Sequence, residues 1–343
     1  MNIVVLAGGL SVERNVSLTT GAMVQNSLVR SGHRAILADV FMDYELTGTV
    51  AEEFEKATRM EEIKKVSEVI PDIEKIKKER GNSDVYFGKN VIELCSFADI
   101  VYMALHGGEG ENGRLQAAFD LLGIKYTGNG YLSSAVSMHK NLTKQMFKAY
   151  GVLTPDGKMV TPEDEVCFDD FGWEKIVIKP CSGGSSIGVS IVDSKESFDA
   201  ALKDAFKYEE EILVEQYVEG RELSVGVLGG DALPSIEIIP KEGFYDYKNK
   251  YQASMTDEIC PADVTEAQER KLREAAVKAA EALGIEVYAR MDFIIDKNDD
   301  VYCLEANSLP GMTPTSLMPQ EANAAGISYD ELCSQIINIS LQK

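Results

Sequence analysis

Residues Arg290–Gly311 read RMDFIIDKNDDVYCLEANSLPG. Two apolar runs flank Lys297-Asn298-Asp299, a trio with the chemistry of a tight turn, so the segment folds back as antiparallel strands at Tyr288–Ile295 and Asp300–Ala306. That pairing sets Asp292 beside Glu305. Side chains two apart on a strand share a face, so Arg290 joins Asp292 and Asn307 joins Glu305. Two carboxylates and an amide oxygen make a hard, oxygen-only donor set, suited to magnesium shared with substrate phosphates. A structural ion pair is the plainer reading of Arg290 beside two acids. Four polar groups turned inward among Val, Phe, Ile and Leu would nevertheless be costly as scaffolding alone. Negative charge developing on a transferred phosphoryl group would use all of them.

Outward from this hairpin the chain reads as α/β with antiparallel additions. Asn2–Ala7 is a continuous apolar run, as in a strand buried on both faces. Gly8-Gly9, a helix over Val16–Arg30 and a strand over Ala35–Val40 follow, an order that signals a parallel α/β unit. Residues 49–80 are charge-dense and helical in pattern, broken by Pro71, and read as a solvated helical insertion. A strand at Ile100–Leu105 ends in the glycine loop His106–Gly113. Further helices are expected at Leu115–Leu122, Ser133–Tyr150, 195–207, Thr265–Leu283 and Tyr329–Leu341, and a short strand at Ile124–Tyr126. Lys175–Lys179 and Val189–Val192 read as a hairpin around CSGGSSIG (Cys181–Gly188). Glu211–Tyr217, Glu222–Leu228 and Ser235–Pro240 read as successive strands of one antiparallel sheet. Phe244–Ala262 lacks periodicity, and loops of that length are more often functional than not.

Two more features point to a nucleoside triphosphate. The Cys181–Gly188 loop supplies three glycines and the hydroxyls of Ser182, Ser185 and Ser186, with Lys179 at its entrance; it can wrap phosphate oxygens or be a simple flexible turn. It is not a Walker A loop, since no Lys-Ser/Thr follows its last glycine. Glu215, Tyr217 and Glu222 could accept hydrogen bonds from an adenine amine or ribose, or line a solvated edge strand.

Composition narrows the classes. The 343 residues carry 34 Lys plus Arg against 56 Asp plus Glu, a net charge of -22. Nucleic acid and anionic membrane surfaces call for a basic footprint that this chain lacks, so neither is an expected partner. No stretch approaches the ~18 apolar residues of a membrane span, and Met1–Gly9 lacks the marks of a signal peptide; a cytoplasmic location is expected. The six cysteines form no CxxC pair and the three histidines have no metal spacing, which excludes a zinc site of the usual kind and argues against a disulfide framework.

Taken together, AGGLSVERNVSL (Ala7–Leu18), LHGGEGENG (Leu105–Gly113), the Lys179–Gly188 loop, FYDYKNKY (Phe244–Tyr251) and RMDF…LEANSLPGMTPTSL closely resemble the D-alanine–D-alanine ligases of the ATP-grasp superfamily. The resemblance implies an α/β (α+β) chain of three domains. These are an N-terminal α/β domain over 1–128 bearing the insertion at 49–80, a central ATP-grasp subdomain over 129–215 and a C-terminal one over 216–343. It further implies that Lys140, Lys179, Ser186 and Lys250 contact ATP phosphates, while Glu215, Tyr217, Val218 and Glu222 hold adenine and ribose. Asp292, Glu305 and Asn307 would ligate two Mg2+ ions, with Mn2+ as a substitute. Glu13 and His106 would receive the first D-alanine, Ser185 and Tyr251 would bond with Glu13, Ser316 and Leu317 would hold the second, and Arg290 with the Gly311 amide would stabilise the oxyanion.

The implied reaction is ATP-dependent ligation of two D-alanines through an acyl phosphate, for peptidoglycan precursor synthesis, by a homodimer. Tyr251 within NKY favours an amino-acid nucleophile, with D-serine as the alternative. The sequence departs from the family at His139, in place of an Asp before Lys140, and at Asn112 and Ser182-Gly183. Two rivals of other classes are a non-catalytic ATP-binding regulator, which has no use for Arg290, and a nicotinamide dehydrogenase, which needs a GxGxxG that does not follow the first strand.

Overall fold

The computed structural model describes residues 1–63, 71–184, 186–241 and 256–343. Strand β1 (Asn2–Ala7) leads through Gly8-Gly9 into α1 (Arg14–Arg30) and β2 (Arg34–Asp39). Gly8 and Gly9 have φ of 77° and 81°, a conformation that side chains resist. A Cβ on Gly8 would also lie 2.5 Å from the Asp39 carboxylate, which pairs with Arg14 and fastens the turn. Helices α2 (Val50–Lys56), α3 (Ile73–Glu79) and α4 (Val91–Phe97) precede β3 (Ile100–Met103). The three strands form a parallel sheet in the order β2-β1-β3. The expected strand at Ile124–Tyr126 is reduced to one parallel bridge between Tyr126 and Val101.

The reading of residues 49–80 as solvated is half corrected. Helix α3 buries none of its residues. Helix α2 is different: Thr49 closes a capping box with Glu52, and Val50 and Phe54 are buried in the core shared with β1 and α4. Positions four apart fall on one helix face, and the acidic residues between them obscured that stripe.

Next come α5 (Arg114–Leu122), α6 (Tyr131–Met138) and α7 (Lys140–Tyr150). The single helix expected over Ser133–Tyr150 is therefore two, divided at His139 (φ -96°, ψ 96°). His139 Nδ1 accepts the Leu142 N–H at 3.4 Å, capping α7 as an Asp would, and Nε2 lies 2.8 Å from Glu211. The break lets the Lys140 N–H reach the Cys181 carbonyl at 2.8 Å, so α7 starts at the glycine–serine loop.

Strands β4 (Gly157–Val160), β5 (Ile176–Pro180) and β6 (Ser190–Val192), helix α8 (Lys195–Ala205) and strand β7 (Ile212–Gln216) build an antiparallel sheet ordered β4-β7-β5-β6. Strands β8 (Gly220–Leu228), β9 (Asp231–Ala232), β10 (Ile236–Pro240) and β11 (Thr256–Ile259) follow. Helix α9 (Glu266–Leu283) then precedes β12 (Tyr288–Asp296) and β13 (Val301–Asn307). These strands form a second antiparallel sheet ordered β11-β10-β8-β12-β13, with β9 paired to β8. Helices α10 (Leu317–Ala324) and α11 (Tyr329–Ser340) close the described chain.

Glu211–Tyr217 thus does not share a sheet with its two successors. The chain changes sheets between β7 and β8, and β4, which the sequence did not signal, makes β7 an interior strand. Helix α8 covers the first of these sheets; α7 and α9 pack on the second. Among the described residues no helix is long and apolar enough to cross a membrane.

If α2 belongs to the core, Phe54→Ala should destabilise the protein by about 3–5 kcal/mol. Urea unfolding measures this, and a change under about 0.5 kcal/mol, as at a surface site, would return α2 to the solvated insertion.

Candidate active site

The hairpin β12–β13 places Arg290 opposite Asn307 and Asp292 opposite Glu305. All four face the same way, as the sequence spacing requires. A register shift between Asp292 and Phe293 keeps the polar ends in phase while the apolar remainder packs inward, a common use of a bulge beside a site. Arg290 donates from Nε and Nη2 to the two oxygens of Asp292, each at 2.9 Å. Asn307 Nδ2 donates to Asp292 Oδ2 at 2.9 Å, and Ser224 Oγ to Oδ1 at 2.8 Å. Ser224 was not foreseen; it stands opposite Asp292 on β8, a pairing that only tertiary structure reveals.

Two cavities meet at this hairpin. The larger, about 500 Å³, lies between the two antiparallel sheets, with Val177 and Ile191 on one wall and Ile238 and Ile294 on the other. Of the residues singled out for a nucleotide, Lys140, Lys179, Ser186, Glu215, Tyr217, Val218 and Glu222 line it, together with Asp292 and Glu305. The smaller, about 280 Å³, is lined by Glu13, His106, Arg290, Asn307, Gly311, Ser316 and Leu317. Lys140, Gly183, Gly184 and Glu305 border both. Ser185, Lys250 and Tyr251, with the rest of Phe244–Tyr251, lie outside the described residues.

Glu215 corrects one expectation. It is buried, not on a solvated edge, and its two oxygens pair with Lys179 and, at 2.7 Å, with Lys144. Burial alone would push its carboxyl up, but the two ammonium groups outweigh it and hold the group below the usual carboxylate range. Burial lowers Lys144 in turn, against the pull of Glu215. Lys144 went unnoticed, although it stands one helical turn after Lys140 and so on the same face of α7. Lys140 Nζ donates to the Gly183 carbonyl and lies 3.6 Å from Glu305. Ser186 adopts a left-handed φ of 57°, and the Ser182 N–H is held by Glu209 at 2.7 Å. The glycine–serine loop is therefore tied at its start.

At the far end of the smaller cavity, His106 Nε2 lies 3.0 Å from Thr20 Oγ1, and Ser11 Oγ donates to the His106 carbonyl at 2.6 Å. Burial lowers the His106 imidazole, opposed by the nearby Glu13 carboxylate. Glu111, also on the cavity wall, is pushed up by burial and next by Glu13. Opposite, Ser316 begins α10 and its hydroxyl lies 2.8 Å from that of Thr313. A Cβ on Gly311 would come within 2.9 Å of Ser316 Oγ, so this turn closes on a glycine.

Among the described residues no three His, Cys, Asp or Glu side chains cluster as a metal site. The donor set at the hairpin is two carboxylates and an amide. An all-oxygen set this small fits a hard cation that draws its remaining ligands from phosphate and water.

Residues 2–129 match the family model for the D-ala D-ala ligase N-terminus, and residues 148–338 that for the C-terminus. The D-alanine–D-alanine ligase of Lacticaseibacillus casei is 42% identical, covering 100% of this chain and 96% of that protein. That of Pediococcus pentosaceus is also 42% identical, over 98% of this chain and 97% of its own. Among solved structures, the Bacillus anthracis D-alanine–D-alanine ligase complexed with ATP aligns with a TM-score of 0.76 at 29% identity, covering 100% of this chain and 97% of that one. The VanG D-Ala:D-Ser ligase of Enterococcus faecalis aligns at 0.74 and 25% identity, over 99% of each chain. With its three sheets in the ATP-grasp arrangement, this chain belongs to the D-alanine–D-alanine ligase family.

Proposed function

We propose that the protein joins two D-alanines into D-alanyl-D-alanine at the expense of ATP, for peptidoglycan precursors. One observation carries this reading: a nucleotide-sized cavity and an amino-acid-sized cavity share a wall made of Lys140, Gly183, Gly184 and Glu305. Phosphoryl transfer from one ligand to the other needs that adjacency.

ATP occupies the larger cavity, its base between Tyr217, Val218 and Glu222 and its phosphates at Lys140, Lys179 and Ser186. Glu13 takes the ammonium of the first D-alanine, with His106 beside it on the same cavity wall. Mg2+, with Mn2+ as a substitute, would be held by Asp292, Glu305 and Asn307 and would supply positive charge to the phosphates. A carboxylate oxygen of the first D-alanine attacks the γ-phosphorus and ADP leaves. The amine of the second then attacks the acyl-phosphate carbon, the C–N bond forms, the C–O bond to phosphate breaks, and the amine releases its surplus proton. Arg290 and the Gly311 amide stabilise the oxyanion between these two events. Ser316 and Leu317, at the start of α10, hold the second carboxylate.

A division at 1–128, 129–215 and 216–343 is supported by the three sheets, one falling in each unit apart from Gln216, the last residue of β7, which lies just past the second boundary. We place the enzyme in the cytoplasm, where ATP is available, without nucleic acid or membrane partners. A homodimer is supported by the exposed Leu121 and Leu122 on α5 and Leu132 on α6, large apolar side chains of the kind an interface would cover. Sedimentation at twice the chain mass is the expected result.

The VanG likeness keeps D-serine as a second reading for the acceptor. With ATP and D-alanine alone, phosphate release and a product of D-alanyl-D-alanine mass are expected; release only on adding D-serine or D-lactate would overturn the D-alanine assignment. Glu305→Gln keeps the shape but removes one ligand charge, so turnover at limiting Mg2+ should fall by about 100-fold with the unfolding midpoint unchanged. Equal turnover at limiting Mg2+ would remove Glu305 from the metal site.

A further inference from the structure

The second amino acid enters as a zwitterion, and the proposed function gives only its carboxylate a partner. Its ammonium needs an acceptor before the amine is freed to attack. Of the carboxylates lining the smaller cavity, Glu13 and Glu111 stand together at the His106 loop. There a Cβ on Gly107 would come within 2.9 Å of Glu13 Oε2. Glu305 faces Lys140.

Glu258 is left, and its hydrogen bonds run towards the start of α10. It lies on β11 and lines the same cavity as Arg290, Ser316 and Leu317. Its Oε2 accepts from Gln320 Nε2 at 2.5 Å; Gln320 Nε2 in turn lies 2.9 Å from the Thr315 carbonyl. Glu258 is thus two hydrogen bonds from the residue that precedes Ser316. The start of α10 offers an anion site, since Ser316 makes no side-chain cap to the helix and the first-turn amides carry partial positive charge. An amino acid whose carboxylate sits there has the Glu258 carboxylate close at hand.

We propose that Glu258 receives the ammonium group of the second amino acid and so selects an amine over a hydroxyl nucleophile. A hydroxy acid would leave this half-buried carboxylate with its Gln320 hydrogen bond but no ammonium partner, an arrangement that costs binding. Burial already pushes the Glu258 carboxyl up, with Gln320 and Arg290 opposing, so an arriving cation relieves a standing cost. The assignment rests on the ligase reading above.

Glu258→Gln separates charge from scaffold, because glutamine still offers an oxygen to Gln320. In steady-state kinetics with D-alanine as both substrates, the acceptor KM should rise roughly tenfold while the donor KM moves less than about twofold. With D-alanine and D-lactate together, the ratio of dipeptide to depsipeptide, read by mass, should fall by a similar factor. Glu258→Asp keeps the charge and should restore part of that ratio. An acceptor KM and product ratio like those of the wild type would overturn the proposal, as would an equal rise in both KM values, which marks a purely structural role. Absence of D-alanine-dependent phosphate release from the wild-type enzyme would instead sink the ligase reading, and this proposal with it.

Discussion

Asp292 is the residue on which the site converges. It lies at 8% exposure and collects Arg290, Asn307 and Ser224 from three strands. A carboxylate withdrawn from water needs such donors, since desolvating it alone is very costly. The consequence runs beyond charge balance. Asp292 fixes the guanidinium of Arg290 bidentately, and so aims it without the entropy loss that a free arginine would suffer on binding. A cation held by Asp292, Glu305 and Asn307, as proposed, would enter a group already organised by β8, β12 and β13, which is the condition for electrostatic stabilisation of a transferred phosphoryl group.

A second constraint stands behind the larger cavity. Glu215 between Lys144 and Lys179 is a buried ionic trio, and such trios are poor sources of stability because desolvation offsets most of their attraction. Position explains it better. Glu215 holds the Lys179 ammonium at the cavity wall, and Lys179 and Lys144 together keep Glu215 ionised. Lys140, one turn earlier on α7, is steered by Gly183 and Glu305 instead. Three lysines thus keep three separate tasks within one small region.

The β12–β13 hairpin was legible in the sequence because strand periodicity is local: residues two apart share a face whatever the surroundings, and a polar turn sets the register. The parallel sheet was legible for a similar reason, since runs such as Ile3–Ala7 suit only burial on both faces. What failed depended on partners distant in sequence. Nothing near β7 announces β4, so a solvated edge remained open for Glu215, which lies in a sheet interior. The split at His139 escaped because a histidine cap leaves little trace, and its Glu211 partner is far along the chain. Phe54 was hidden by the acids around it, and Lys144 by the absence of any sign that Glu215 waited across the fold.

The overall charge then takes on a different meaning. A chain of -22 repels a triphosphate at long range, so its affinity for one must come from short-range contacts. Lys140, Lys144, Lys179 and Arg290 have side chains only 11%, 5%, 9% and 12% exposed. At such low exposure a charge is weakly screened by salt and acts strongly over a few ångströms. Steering by a broad basic surface would speed capture of any anion. Recessed cations ringed by acids instead reward only an anion that enters the cleft and reaches them, a geometry suited to a phosphoryl group handed from one cavity to the next.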